Sequence, residues 1–167
     1  MAEDKFDLDA LLKEGEDALD QFPYDGASWH YESEEYPPDL PPRAAFTHLG
    51  MYLGWAVERD LISDALKEQA ADVIAKFRKR EVLPSEVFRT GCIDEFTRDH
   101  LNDMGNAFTK KYYRPGWEYY YPADFDEISG NEISGFYMPD TWENYDRVKT
   151  LIDKRHQQWL KEKGGKG

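Results

Sequence analysis

The chain is poor in the residues on which most catalytic and secreted folds depend. Cys92 is its only cysteine, so no disulfide can form within the chain, and a reducing, cytoplasmic setting is expected. There are four histidines, His30, His48, His100 and His156, and no two stand at a metal-ligand spacing. No HExxH, CxxC, P-loop, GxGxxG or GxSxG stretch occurs, which removes the sequence grounds for the chemistries those motifs mark. No apolar run approaches the ~20 residues needed to cross a bilayer. The acidic start, "MAEDKFDLDA", has neither the basic nor the apolar part of a signal peptide.

Basic residues are scarce in one region above all. Residues 1–40 carry thirteen acids against Lys5 and Lys13, while the remainder is nearly balanced, within a net charge of −13. Such a field repels nucleic acid and anionic membranes and draws in a basic partner, although acidity also serves plain solubility. Neither nucleic acid nor membrane is expected as a partner, and no cofactor or metal is implied.

Of the 167 residues, 40% are hydrophobic and 15% aromatic, enough for one folded domain with a substantial core. The expected fold is mainly α, a single compact domain of five or six helices around a central apolar helix. Residues 1–5 and 164–167 are expected to fray. "FDLDALLKEGEDALDQF" (6–22) has helical spacing of its apolar residues. Residues 23–43 hold five prolines and predict a packed loop. Pro41 and Pro42 can open the next helix, which from Ala44 to about Leu61 is apolar on most sides and hence central. Ser63 caps a further helix running to the basic residues 78–80. A short helix is expected in "LPSEVFRTG", two more in residues 94–113 with a break around Asn102 to Asn106, and a long one after Asp140 or Thr141. Residues 117–138, aromatic and turn-rich, predict a minor β-hairpin or an ordered loop.

Few residues stand out as chemical groups. Cys92 lies in "RTGCIDEF", after Arg89 and before acids, and as a lone cysteine it reads as inert, since reactivity needs a depressed pKa. Asp124, Asp126, Glu127 and Glu132 do not fit a calcium loop, since an EF-hand beginning at Asp124 needs glycine where Ser129 stands. His48 is the better candidate. It shares a helix face with Ala45 and Tyr52, while Gly50 and Gly54 leave bare backbone for close approach and Thr47 can bond back to a carbonyl. One expectation is structural, with both His48 nitrogens bonded to a carboxylate and a carbonyl so that the proline loop is tied to the central helix. The other is a ligand-binding or general-base role, because histidine titrates near neutral pH.

"ASWHY", "DLPPRA", "THLGMYLGWA", "GNAF" and "TWENYD" together resemble an uncharacterised family of small acidic bacterial proteins with WHY, DLPPxA, THxGMxLxWA and TWENYD motifs. The resemblance runs over residues 24–160 and implies a bacterial, cytoplasmic, single-domain protein without supplying a reaction. Size, acidity and aromatic content are also similar in type to immunity proteins encoded beside bacterial toxins.

The leading expectation is therefore a non-enzymatic binding protein, namely an immunity protein that neutralises a basic toxin domain. Its contact surface would comprise Trp29, Tyr31, Glu32, Glu34, Glu35, Tyr36, Asp39, Trp117, Tyr119 and Tyr120, aromatics supplying desolvated contacts and acids the steering. One alternative is an enzyme or small-ligand-binding protein using His48 and His30 with nearby carboxylates, and another is a DNA-mimicking inhibitor. An open cleft joining His48 to carboxylates favours the ligand reading, whereas a sealed His48 favours the structural one.

Overall fold

A computed structural model describes residues 22–164 of the chain. The expected helix over 6–22 lies, but for its last residue, outside the described residues. The fold is mainly α, with eight α-helices among the described residues and one two-stranded antiparallel sheet. In chain order they are β1 (Asp25–Gly26), α1 (Ala27–Tyr31), α2 (Thr47–Glu58), α3 (Asp64–Gln69), α4 (Ala71–Arg78), α5 (Pro84–Gly91), β2 (Glu95–Phe96), α6 (Asp103–Tyr112), α7 (Tyr121–Ser129) and α8 (Trp142–Gly164). Three short 3-10 segments, Pro42–Phe46, Arg98–His100 and Gly135–Tyr137, join them. No described helix is long and apolar enough to cross a membrane.

The central helix is α2. Every residue from Thr47 to Val57 is buried, as expected of a helix with no polar face. Pro42 opens the 3-10 turn that leads into it. The helix packs most extensively on α5, with α8 and α4 on other sides. Its two glycines make that approach possible. A Cβ on Gly50 would lie 2.5 Å from the Ser85 Cα, and one on Gly54 would lie 2.9 Å from the Phe77 ring. Helix α8 buries the stripe Tyr145, Val148, Ile152 and Trp159. Thr141 caps it by accepting the Asn144 N–H at 3.1 Å, and Asp153 ties it to α2 by accepting from the Trp55 indole at 2.7 Å.

Four local expectations differ from the structure. Residues 23–43 are not wholly loop, because strand β1 and helix α1 stand between Pro23 and Pro37. The helix after Ser63 is two helices that bend at Ala70 (φ −111°), where Ala70 is buried beside Gly91. Only the second of the two helices expected over 94–113 forms, started by Asn102, whose side chain accepts the Gly105 N–H at 2.9 Å. The first is replaced by β2, because the backbone there pairs with β1, Asp25 opposite Phe96 and Gly26 opposite Glu95. No β-hairpin forms at 117–138. The β element lies instead between β1 and β2, and residues 121–129 are helix α7, with Pro122 in its first turn and Gly130 in the left-handed region at its end (φ 69°).

The two α2 glycines should rank differently on substitution. Gly50→Ala drives a methyl into backbone and should cost roughly 2–3 kcal/mol or more, a Tm fall of about 5–10 °C. Gly54→Ala meets a ring edge that can shift and should cost less. Thermal unfolding followed by circular dichroism checks the ranking, and equal losses would contradict it.

Candidate functional site

Near the N-terminal end of α2 a carboxylate is buried between two histidines. Asp25 is 5% exposed, yet it receives four hydrogen bonds. His30 Nε2 lies 2.6 Å from Oδ1, His48 Nε2 2.8 Å from Oδ2, the Tyr113 hydroxyl 2.6 Å from Oδ2, and the Gly26 N–H 2.8 Å from Oδ1. Each partner comes from a different place in the fold. Strand β1 presents Asp25, helix α1 His30, the first turn of α2 His48, and the residue after α6 Tyr113.

The sequence builds this local geometry in steps. Gly26, at the start of α1, has no side chain with which to cap it. Asp94 does so from the far side of the small sheet, accepting the Ser28 N–H at 2.8 Å and the Ser28 hydroxyl at 2.6 Å. The Ala27 N–H also bonds the Asp94 carbonyl at 2.9 Å. The histidine rings stand edge to face with centroids 5.0 Å apart, and Phe136 packs against both. The Tyr121 hydroxyl holds the His48 carbonyl at 2.6 Å.

Burial is the largest single influence on Asp25 and would raise its pKa. The charge of His48, the hydrogen bonds from both histidines and the charge of His30 together outweigh it, holding the carboxyl well below the usual range. An ionised carboxylate only accepts hydrogen bonds, so both Nε2 atoms carry the hydrogen they donate. The second His48 nitrogen, Nδ1, is buried and has no partner among the described residues. The structural expectation for His48 is therefore half met, with a carboxylate on one nitrogen and no carbonyl on the other. Burial and the adjacent Asp25 push the Tyr113 phenol far up, so it stays a hydrogen-bond donor.

The cluster lines a cavity of about 640 Å³ whose other walls include Trp29, Ser33, Glu35, Tyr120, Ser134 and Phe136. His30 reaches solvent, with 32% of its side chain exposed, against 6% for His48. Asp25, His30 and His48 are also the one group among the described residues that could hold a metal ion, with one ligand atom from each lying within 4.8 Å of the others.

The remaining candidates are dispersed. Trp29, Glu32, Glu34, Glu35 and Asp39 are exposed; Asp39 accepts from the Tyr137 hydroxyl at 2.6 Å. Tyr36 is buried and donates to the Pro41 carbonyl at 2.8 Å, so it anchors the proline segment and offers no surface to a partner. Tyr31 is half-buried against Phe46, and Thr47 is buried beside a second cavity of about 460 Å³. Trp117 packs on Phe108 and Tyr112 and donates to Glu162, Tyr119 lies under the Arg155 guanidinium, and Tyr120 faces the main cavity. The acids of 124–132 do not converge, since Asp124 is buried against Arg155 and Tyr112 while Asp126 accepts from the Gly135 N–H. Cys92 is buried, which raises its thiol pKa and leaves it inert. Sequence reading missed Asp25 and Tyr113. A carboxylate five residues before His30 in "DGASWH" is a visible signal for the first, but nothing local points to Tyr113.

Asp25→Asn should leave buried donors without their acceptor and destabilise the fold by about 3–5 kcal/mol. Because its folded pKa is depressed, the stability Asp25 contributes is fully present above the unfolded value of about 4 and is lost as the pH falls below it. Urea unfolding between about pH 2 and 6 should show a steeper acid loss in the wild type than in Asp25→Asn; parallel curves would contradict the assignment.

Residues 23–138, which contain the whole cluster, match a family model described as Domain of unknown function (DUF7832). No curated protein and no solved structure matches the chain. The chain belongs to the DUF7832 family.

Proposed function

We propose that this DUF7832 protein binds a small polar molecule in the cavity above Asp25, with His30 and His48 as its polar anchors. The observation that carries this is an open cavity whose floor holds two histidines locked by one carboxylate. Fixing Nε2 of each ring on Asp25 sets its orientation and, in the neutral ring, leaves Nδ1 of the part-exposed His30 as an acceptor for a ligand hydroxyl or amine. A base held by a carboxylate is also the arrangement that general-base chemistry requires, so an enzyme acting on the bound molecule falls within the same proposal. Aromatic walls from Trp29, Tyr120 and Phe136 supply apolar contact around few polar groups, the usual make-up of such sites.

The test is a thermal-shift screen of EDTA-treated protein against a panel of small polar metabolites, with Ser33→Trp as a variant that fills the cavity wall. At a hundredfold excess over Kd a ligand adds about 2.7 kcal/mol. At least one compound should stabilise the wild type and not Ser33→Trp. A panel that never separates the two proteins would sink the proposal.

A second reading keeps a basic protein partner, of the kind an immunity protein would neutralise in a bacterial, cytoplasmic setting. It is favoured by Trp29, 46% exposed, on the same segment as exposed Glu32, Glu34 and Glu35. Replacing those three acids with glutamine should slow association with a basic toxin domain encoded beside this chain and flatten its salt dependence. Association indifferent to salt in the wild type would remove the steering role.

A further inference from the structure

We infer that Asp25, His30 and His48 form a site for a divalent transition-metal ion of the zinc type, open toward the cavity. Three side chains offer one ligand atom each within 4.8 Å of one another, and they do so from three separate elements, a strand, a short helix and the central helix. Two imidazoles and a carboxylate are a donor set suited to Zn2+, Co2+ or Fe2+ and unsuited to Mg2+ or Ca2+, which take oxygen ligands almost exclusively. Three protein ligands also leave coordination positions free, the pattern of catalytic and not of structural zinc.

The surroundings supply what such a site needs beyond its ligands. The Tyr113 hydroxyl and the Gly26 N–H hold the carboxylate in place from outside, as outer partners do around ligating groups. Tetrahedral bonds of about 2.0–2.2 Å set ligand atoms roughly 3.3 Å apart. To admit an ion, the present nitrogen–oxygen contacts of 2.6 and 2.8 Å open by about 0.5–0.7 Å, and the three ligand atoms, which lie within 4.8 Å of one another, settle to that spacing. On His48 the ligand atom is Nε2, where the ion takes the place of the hydrogen shared with Asp25. His30, part exposed at the cavity wall, gives the ion its path in. The other two histidines stand elsewhere in structural roles, His100 accepting the Thr97 N–H and His156 packed among Trp55, Phe108 and Trp159.

The ion needs only the three side chains; its open positions gain a purpose from the proposed ligand cavity and rest on that reading. The two are tested apart by titrating EDTA-treated, full-length protein with Co2+ alone, no organic ligand being present. One ion per chain should bind, with the intense visible bands of tetrahedral cobalt, and Zn2+ should displace it. His30→Ala should weaken binding more than about tenfold and remove the bands, while His100→Ala should keep both. If His30→Ala does not hold its helical circular dichroism, His30→Gln decides in its place. Absence of binding, or binding that survives loss of His30, would overturn the site without touching the ligand screen made on metal-free protein.

Discussion

A buried carboxylate has to be surrounded by donors or it does not stay buried. Asp25 meets that demand with one donor from its own strand, two from imidazoles and one from a phenol. Burying the charge therefore fixes the relative placement of β1, α1, the start of α2 and the end of α6. The constraint reaches further through Tyr113, whose ring also touches Tyr52, Phe96 and Tyr121. The polar floor of the cavity and the aromatic centre of the core are thus parts of one packed unit.

Where local pattern decides structure, the sequence is readable. The mostly apolar run after Pro42, the Ser63 cap, the stripe of α8 and the mainly α class all follow from spacing and capping chemistry. What escapes is set at long range. The strand at Glu95–Phe96 exists because Asp25–Gly26 lies opposite, and α1 has an amino-terminal cap only because Asp94 arrives from another part of the chain. Helix α7 is a different kind of miss, since Pro122 and Gly130 bracket it in the expected way but the tyrosines 119–121 that run into it mask the period. His48 could be singled out from its place on an apolar helix. Its partner Asp25 sits 23 residues away, a distance over which sequence spacing carries no geometry.

The aromatic residues divide along similar lines. A cluster such as 112–121 invites the idea of an exposed docking face; Tyr112, Tyr113 and Tyr121 are core, while Trp117 and Tyr119 are half-buried against Glu162 and Arg155 of their own chain. Aromatic content in this protein is mainly a means of filling the interior around α2. Phe22 and Trp29 are exposed exceptions, and Trp29 bears on the site. It stands exposed at the cavity wall near Glu35, so an incoming molecule, small or large, would meet the same few side chains.

Helix α1 is five residues long, far below the length at which a helix sustains itself in water. Its order is borrowed from Asp94, from the strand pairing before it and from the grip of Asp25 on His30. His48, by contrast, rides on the most deeply packed helix of the chain. The two histidines thus differ in mechanical standing: His48 is carried by the core itself, whereas His30 is carried by a helix that depends on its partners for its shape.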